Sequence, residues 1–220
     1  MNSMIPLVLG TRNRKKGIEL AALIAPPWEP NARLARLEIR SLDAYPDVAD
    51  VVEDADTFGG NARKKASEVA VKLGLWVLAD DSGLSVDALK GAPGVYSARY
   101  AGEPADDAAN NRKLLEALEN VPDEARGAAF HCHLALSDPA GAIRLETEGT
   151  CRGRIIRELR GPGGFGYDPL FLIPEYHKTF GELGALAKHQ LSHRSRAFAK
   201  LRLGIDRLIG SGGMDQNVIA

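Results

Sequence analysis

The apolar run from Leu73 to Ala79 passes directly into Asp80-Asp81-Ser82-Gly83. A short apolar run bounded by polar turn formers reads as a buried strand, and this one delivers two adjacent carboxylates at its end. Successive side chains on a strand point to opposite faces. One aspartate therefore faces a given side while the other faces away, which argues against a dyad sharing one proton. Asp, Ser and Gly are also the commonest turn formers, so the same four residues read equally well as a plain turn.

Elements on either side of this run fill in an α/β pattern. Met4 to Gly10 is a compact apolar segment, followed by a helix to about Ile24 that Ala25-Pro26-Pro27 stops. Leu34 to Leu42 alternates as a second strand, and Thr57 or Asn61 caps a helix that runs to about Leu73. Ala105 to Glu119 reads as a helix. Arg126 to Leu136 and Ala142 to Arg154 read as a hairpin joined through Ser137 to Gly141. A short apolar run, Leu170 to Ile173, and a helix from about Ser195 to Ile209 close the pattern. Strands that both alternate with helices and pair as a hairpin predict a mixed sheet. The 220 residues suit one domain over residues 1–210, with a frayed tail over 211–220.

Charge and cysteine content exclude several classes of partner. Lys plus Arg number 28 against 29 Asp plus Glu, so nothing favours a general binder of nucleic acid. Any anion site must be local. The N-terminus lacks a signal-peptide pattern and no run of about 18 apolar residues is present, so no membrane span is expected. Cys132 and Cys151 form no Cys-x-x-Cys and suit a reducing, cytoplasmic compartment. His131 and His133 flank Cys132 on one strand face; without a third ligand beside them they read as ordinary strand histidines.

Four clusters carry candidate chemistry. The first, LVLGTRNRKK, opens a helix with Thr11, Arg12, Asn13, Arg14, Lys15 and Lys16. Backbone N–H groups at a helix start favour an anion, whereas cations there oppose the helix dipole, a conflict that phosphate resolves. The second is Glu53 with TFGGNARKKA, where Asn61 and Lys65 share a helix face. The third, GPGGFGYDP, matches G-x-G-x-x-G, but it runs into Asp168-Pro169 instead of opening a helix, so a dinucleotide fingerprint is disfavoured. Its glycines read as a loop that lets Phe165 and Tyr167 approach a flat ligand, or as a packing loop. Lys188 with Ser192-His193-Arg194 is the fourth, a group of donors before the last helix.

Taken together these blocks resemble the inosine triphosphate pyrophosphatase family, which includes the HAM1 proteins. The resemblance runs in order along essentially the whole chain. It comprises T-x-N-x-x-K at Thr11, Asn13 and Lys16; TFxxNAxxKA at Thr57 to Ala66; ADDSGLxVDAL at Ala79 to Leu89; GAPGVYSARYAG at Gly91 to Gly102; FHC at Phe130 to Cys132; GGFGYDPLF at Gly163 to Phe171; and SHR at Ser192 to Arg194. Gly60 departs from the pattern where many members carry Glu, and Ala187 where an acidic residue often precedes the lysine.

The resemblance implies a long, curved mixed sheet flanked by helices, in two lobes with a cleft between them. It implies hydrolysis of deaminated purine nucleoside triphosphates (ITP, dITP, XTP) to the monophosphate and pyrophosphate, with Mg²⁺, by a homodimer. Asp81 becomes the expected proton acceptor and Lys65 a catalytic residue that grips the triphosphate, with Glu53 and Asp81 as metal ligands. Thr11, Arg12, Asn13, Arg14, Lys15, Lys16 and Ser82 become expected ligands of the triphosphate side. Phe165, Gly166, Tyr167, Asp168, Lys188, His193 and Arg194 are expected around the base. A non-catalytic nucleotide sensor on the same scaffold is the rival reading.

Overall fold

The computed structural model describes residues 3–24, 26 and 30–214. Its seven-stranded mixed sheet has the order β2-β1-β3-β4-β5-β6-β7. The strands are β1 (Ile5–Leu9), β2 (Leu37–Ser41), β3 (Trp76–Val86), β4 (Gly127–Ser137), β5 (Ile143–Ile155), β6 (Phe171–Ile173) and β7 (Lys178–Thr179). The helices are α1 (Arg14–Ile24), α2 (Phe58–Leu73), α3 (Asp107–Ala117), α4 (Ala185–Leu191) and α5 (His193–Gly210). β1 runs parallel to both β2 and β3, while β6 is antiparallel to β5 and β7. No helix among the described residues is long and apolar enough to cross a membrane.

The chain forms two compact units. One comprises residues 1–81, 133–148 and 197–220, and the other 82–132 and 149–196. In the first unit β1 is buried at every position, as a strand covered on both faces requires. Val8 and Val77 pack with Val69 and Ala70 of α2, and Ala79 packs with Ala62 and Ala66 of the same helix. On the other face, Leu9 and Ile39 share a groove with Gly17, Ile18 and Ala21 of α1. The crossovers leaving β1 and β2 thus take opposite faces of the sheet. Such a switch point, at the carboxyl ends of parallel strands, is where open α/β sheets leave a crevice for ligands.

Local signals explain where α2 begins and ends. Thr57 accepts a hydrogen bond from Gly60 N–H at the start, and Gly74, at φ +62°, closes the end with its N–H on Ala70 O, in keeping with the left-handed conformation that favours glycine after a helix. α1 is capped by Asn13, whose Oδ1 accepts from Lys16 N–H at 3.1 Å. Helix α1 ends at Ile24; of its expected stop, Ala25 and Pro27 lie outside the described residues, as does the expected tail beyond Met214.

In the second unit Phe130, Phe171 and Phe180 form the centre of a core with Leu84, Val86, Leu114, Leu118 and Tyr167. Ring centroids lie 4.5 Å apart for Phe130 and Phe171 and 5.4 Å for Phe171 and Phe180, each such pair adding about 0.5–1.5 kcal/mol beyond its buried area.

Two sequence expectations need correction. β3 does not stop at Ala79 but continues through Asp80-Asp81-Ser82-Gly83 to Val86, so these residues are strand and not turn. β2 is shorter than expected, because Leu34–Arg36 is a 3-10 turn. α4 precedes the last helix, in a stretch to which the sequence assigned no element.

Candidate active site

Within the first unit, strand alternation sends the two aspartates of β3 to different helices. Asp81 lies on the α2 side, where its Oδ1 is 3.3 Å from Lys65 Nζ and its Oδ2 accepts from Asn61 Nδ2 at 3.2 Å. Asp80 lies 3.5 Å from Lys16 Nζ of α1. Lys65 also reaches Glu53 Oε1 at 3.0 Å. Asn61 and Lys65, one helical turn apart, therefore address the same carboxylate. Asn61 Oδ1 in addition accepts from Ala55 N–H at 2.9 Å, which anchors the segment carrying Glu53.

Three carboxylates gathered around two ammonium groups leave this cluster with an excess of negative charge. Burial, reinforced by Glu53 and Asp80, holds Asp81 above the ordinary carboxylate range despite the opposing pull of Lys65 and Lys16. Burial works against the Lys65 ammonium, but Asp81, Asp80 and Glu53 outweigh it and raise its pKa. The arrangement thus keeps Lys65 charged and makes Asp81 a better proton acceptor than a solvent-exposed aspartate. Glu53 and Asp81, which already share one cationic group, form a carboxylate pair able to share a metal ion.

The turn after β1 meets its expected roles unevenly. Thr11 Oγ1 accepts from Asn13 N–H at 3.1 Å, and Asn13 caps α1. Lys16 points at Asp80, while Arg14 and Lys15 are exposed. Arg12 turns away: its guanidinium donates to the carbonyls of Leu42, Tyr45 and Val48 and to Asp50 Oδ1. Its structural work is to hold the acidic 42–50 loop. Gly60 has a local reason as well, since a Cβ there would lie 2.7 Å from Ala55 Cβ.

In the second unit the ring of Phe165 is flanked by cations, with Lys188 Nζ 4.5 Å and Arg194 Cζ 5.3 Å from its centroid. Lys188 is ion-paired with buried Asp168 at 2.7 Å, and Arg194 Nη2 donates to Ser82 Oγ at 2.7 Å. Asp168 Oδ2 also accepts from Phe165 N–H at 2.8 Å. These five residues, far apart in sequence, form one cluster of a half-buried aromatic face and fixed donors. His193 is buried and stacked on Phe130, with centroids 4.9 Å apart.

Tyr167 does not accompany Phe165. It is buried in the core, and its hydroxyl donates to Ser97 O at 2.9 Å. Burial pushes its phenol well above the usual value, so its part is packing and not contact with a flat ligand. The histidines of β4 face partners on β5, His133 with Glu148 at 3.2 Å and His131 with Thr150 at 3.3 Å. Asn61's bond to Asp81 was only half visible beforehand: its helical spacing from Lys65 showed a shared face but not the carboxylate it meets.

Comparison with known proteins finds matches over nearly the whole chain. A family model described as the Ham1 family matches residues 7–203. A Rhodopirellula baltica protein named dITP/XTP pyrophosphatase is 60% identical over 209 residues, 95% of each chain. A Desulforamulus reducens protein of the same name is 51% identical over 202 residues, 92% of this chain and 96% of that one. Among solved structures, a HAM1 protein from Coxiella burnetii has a TM-score of 0.81 at 39% identity, covering 93% of this chain and 100% of that one. A nucleoside-triphosphatase / dITP/XTP pyrophosphatase from Mycobacterium abscessus has a TM-score of 0.71 at 41% identity, covering 90% and 98%. Sequence and structure alike are matched over nearly the full length, and the chain belongs to the Ham1 family.

Proposed function

We propose that the protein hydrolyses deaminated purine nucleoside triphosphates, ITP, dITP and XTP, to the nucleoside monophosphate and pyrophosphate. The observation that carries this reading is the Lys65 ammonium held between Glu53 and Asp81 at 3.0 and 3.3 Å, beside a second lysine on Asp80. Its relatives' shared name, dITP/XTP pyrophosphatase, supplies the substrate class.

In the reaction Asp81 takes a proton from water as the water oxygen bonds to the α-phosphorus. The bond from that phosphorus to the bridging oxygen breaks, and pyrophosphate leaves with the electron pair. The raised pKa of Asp81 suits a general base. Lys65 and Lys16, with donors from Thr11 and Asn13, bind the phosphate oxygens, where electrostatic stabilisation supplies most of the available catalysis.

Glu53 and Asp81 also fit Mg²⁺, a hard cation that takes one or two carboxylates together with substrate phosphate oxygens and water. When bound, the ion would offset phosphate charge and polarise the scissile group. Phe165 stacks on the base while Lys188, Arg194 and Asp168 read its edge. Donors set for a 6-keto oxygen would be left unpaired by the 6-amino group of adenine, which costs about 1–3 kcal/mol for a buried donor.

Both cysteines are free thiols, which supports a reducing, cytoplasmic setting; a homodimer is what the resemblance implies. The deciding experiment measures pyrophosphate release from a panel of nucleoside triphosphates with Mg²⁺ and with EDTA. Preference for ITP, dITP and XTP over ATP and GTP, lost with EDTA and restored by Mg²⁺, is expected. Inosine diphosphate and orthophosphate as primary products would overturn it.

A further inference from the structure

The loop that presents Phe165 is gripped from one side by α3. Gly166 N–H donates to Asp107 Oδ2 at 2.9 Å, and Gly166 O accepts from Asn111 Nδ2 at 2.9 Å. Asp107 and Asn111 are four residues apart and share a helix face. Two side chains of one helical turn thus hold both backbone polar groups of a single residue. That residue sits at φ +60°, where a Cβ would meet nothing within 4 Å, so glycine is used there for its left-handed backbone and not for room. On the other side, Asp168 takes Phe165 N–H at 2.8 Å and returns its own N–H to Phe165 O at 3.2 Å. The peptide groups before and after Phe165 are both pinned by carboxylates.

Asn111 Nδ2 also donates to Asp107 O at 2.7 Å. Asn111 is 5% exposed, and its Oδ1 is buried with no hydrogen-bond partner, an arrangement that costs free energy. Asn is also a weaker helix former than Ala or Leu. Nor is Asp107 needed as the cap of α3, because Asp106 accepts from Ala108 N–H at 2.8 Å in that role. What the two side chains have in common is Gly166.

We propose that Asp107 and Asn111 are positioning residues that orient the Phe165 ring, and through it the selectivity for the base, by fixing both backbone polar groups of Gly166. This rests on the reading of Phe165 as the residue that stacks on the purine.

The test compares Asn111→Ala, Asp107→Ala, Asp107→Asn and Phe165→Ala, measuring kcat and KM for ITP and ATP together with Tm. Phe165→Ala should lose most of the ITP-over-ATP preference. Asn111→Ala should lower the ratio of kcat/KM values on the order of 10-fold, chiefly through KM for ITP. Asp107→Ala should act in the same direction, and Asp107→Asn, which retains an acceptor for Gly166 N–H, should recover most of the loss. A wild-type ratio in both alanine variants, beside a collapsed ratio in Phe165→Ala, overturns the positioning role and leaves the base reading intact. A lower Tm with an unchanged ratio overturns it too, since that is the mark of a structural part alone. An unchanged ratio in Phe165→Ala overturns the base reading and the proposal with it.

Discussion

Asp80 and Asp81 are neighbours in the chain but answer to different lysines, Asp80 to Lys16 at 3.5 Å and Asp81 to Lys65 at 3.3 Å. Alternation along β3 separates them onto opposite faces of the sheet. Asp81 shares its cation with a second carboxylate, Glu53. The proposed chemistry therefore requires unequal losses. Asp81→Asn should lower kcat for ITP on the order of 10²- to 10⁴-fold, the range for removal of a general base, while Asp80→Asn loses distinctly less. Equal, severe losses with ITP binding unchanged in both variants would rule out a single base.

Acid sensitivity provides a separate check. Asp81 must be ionised to act, and burial raises its pKa above 3.8, so kcat/KM should fall on the acid side at a pH above that value. Lys65 is the strongest influence in the opposite direction. Lys65→Met should move the acidic limb further up in pH, and a limb that moves down would contradict the assignment. The stability consequence has a definite sign. The folded state holds the Asp81 proton more tightly than the unfolded chain, so its contribution makes stability fall as pH rises from 3.8 through the raised value. Asp81→Asn should flatten that part of a urea-denaturation profile against pH.

Residues assigned to the base and to the phosphates should separate in kinetics. Arg194 lies over the Phe165 ring and holds Ser82, so Arg194→Ala should reduce kcat/KM for ITP about 10- to 150-fold, equivalent to a lost charge-assisted hydrogen bond of about 1.5–3 kcal/mol, and narrow the preference over ATP. Lys16→Ala should depress ITP and ATP hydrolysis by similar factors, since every substrate carries the phosphates. An unchanged ratio in the first variant beside an altered one in the second would mean that the base and phosphate assignments are reversed.

Arg126 tests stability apart from chemistry. Its buried guanidinium donates to Ile155 O at 2.9 Å and to Leu118 O, at the end of α3, at 2.7 Å. Arg126→Met keeps the aliphatic packing but removes the guanidinium from both carbonyls, of which Leu118 O retains Val121 N–H; the loss should cost about 1–3 kcal/mol in urea denaturation. Turnover per folded molecule should stay at the wild-type level; a selective fall in kcat for ITP would place Arg126 in the reaction instead.

The opposite facing of Asp80 and Asp81, the shared face of Asn61 and Lys65, the hairpin and the mixed sheet were all legible in the sequence, because strand and helix periodicities are local properties of the chain. The continuation of β3 through Asp-Asp-Ser-Gly was not, because those residue types favour a turn and only pairing within the sheet overrides them. Tyr167 and Phe165, two residues apart, looked like equal candidates for a flat ligand. Packing around Leu114 and Phe171 claimed the tyrosine, and the left-handed Gly166 between them let the chain divide their roles. Arg12 and Lys16 both looked like phosphate ligands in a basic run, yet Arg12 is drawn off by the carbonyls of the 42–50 loop while Lys16 meets Asp80. Which carboxylate a lysine meets, and whether an aromatic ring packs in the core or keeps an open face, depends on residues distant in sequence. Local periodicity carries no record of them, and only the tertiary structure decides.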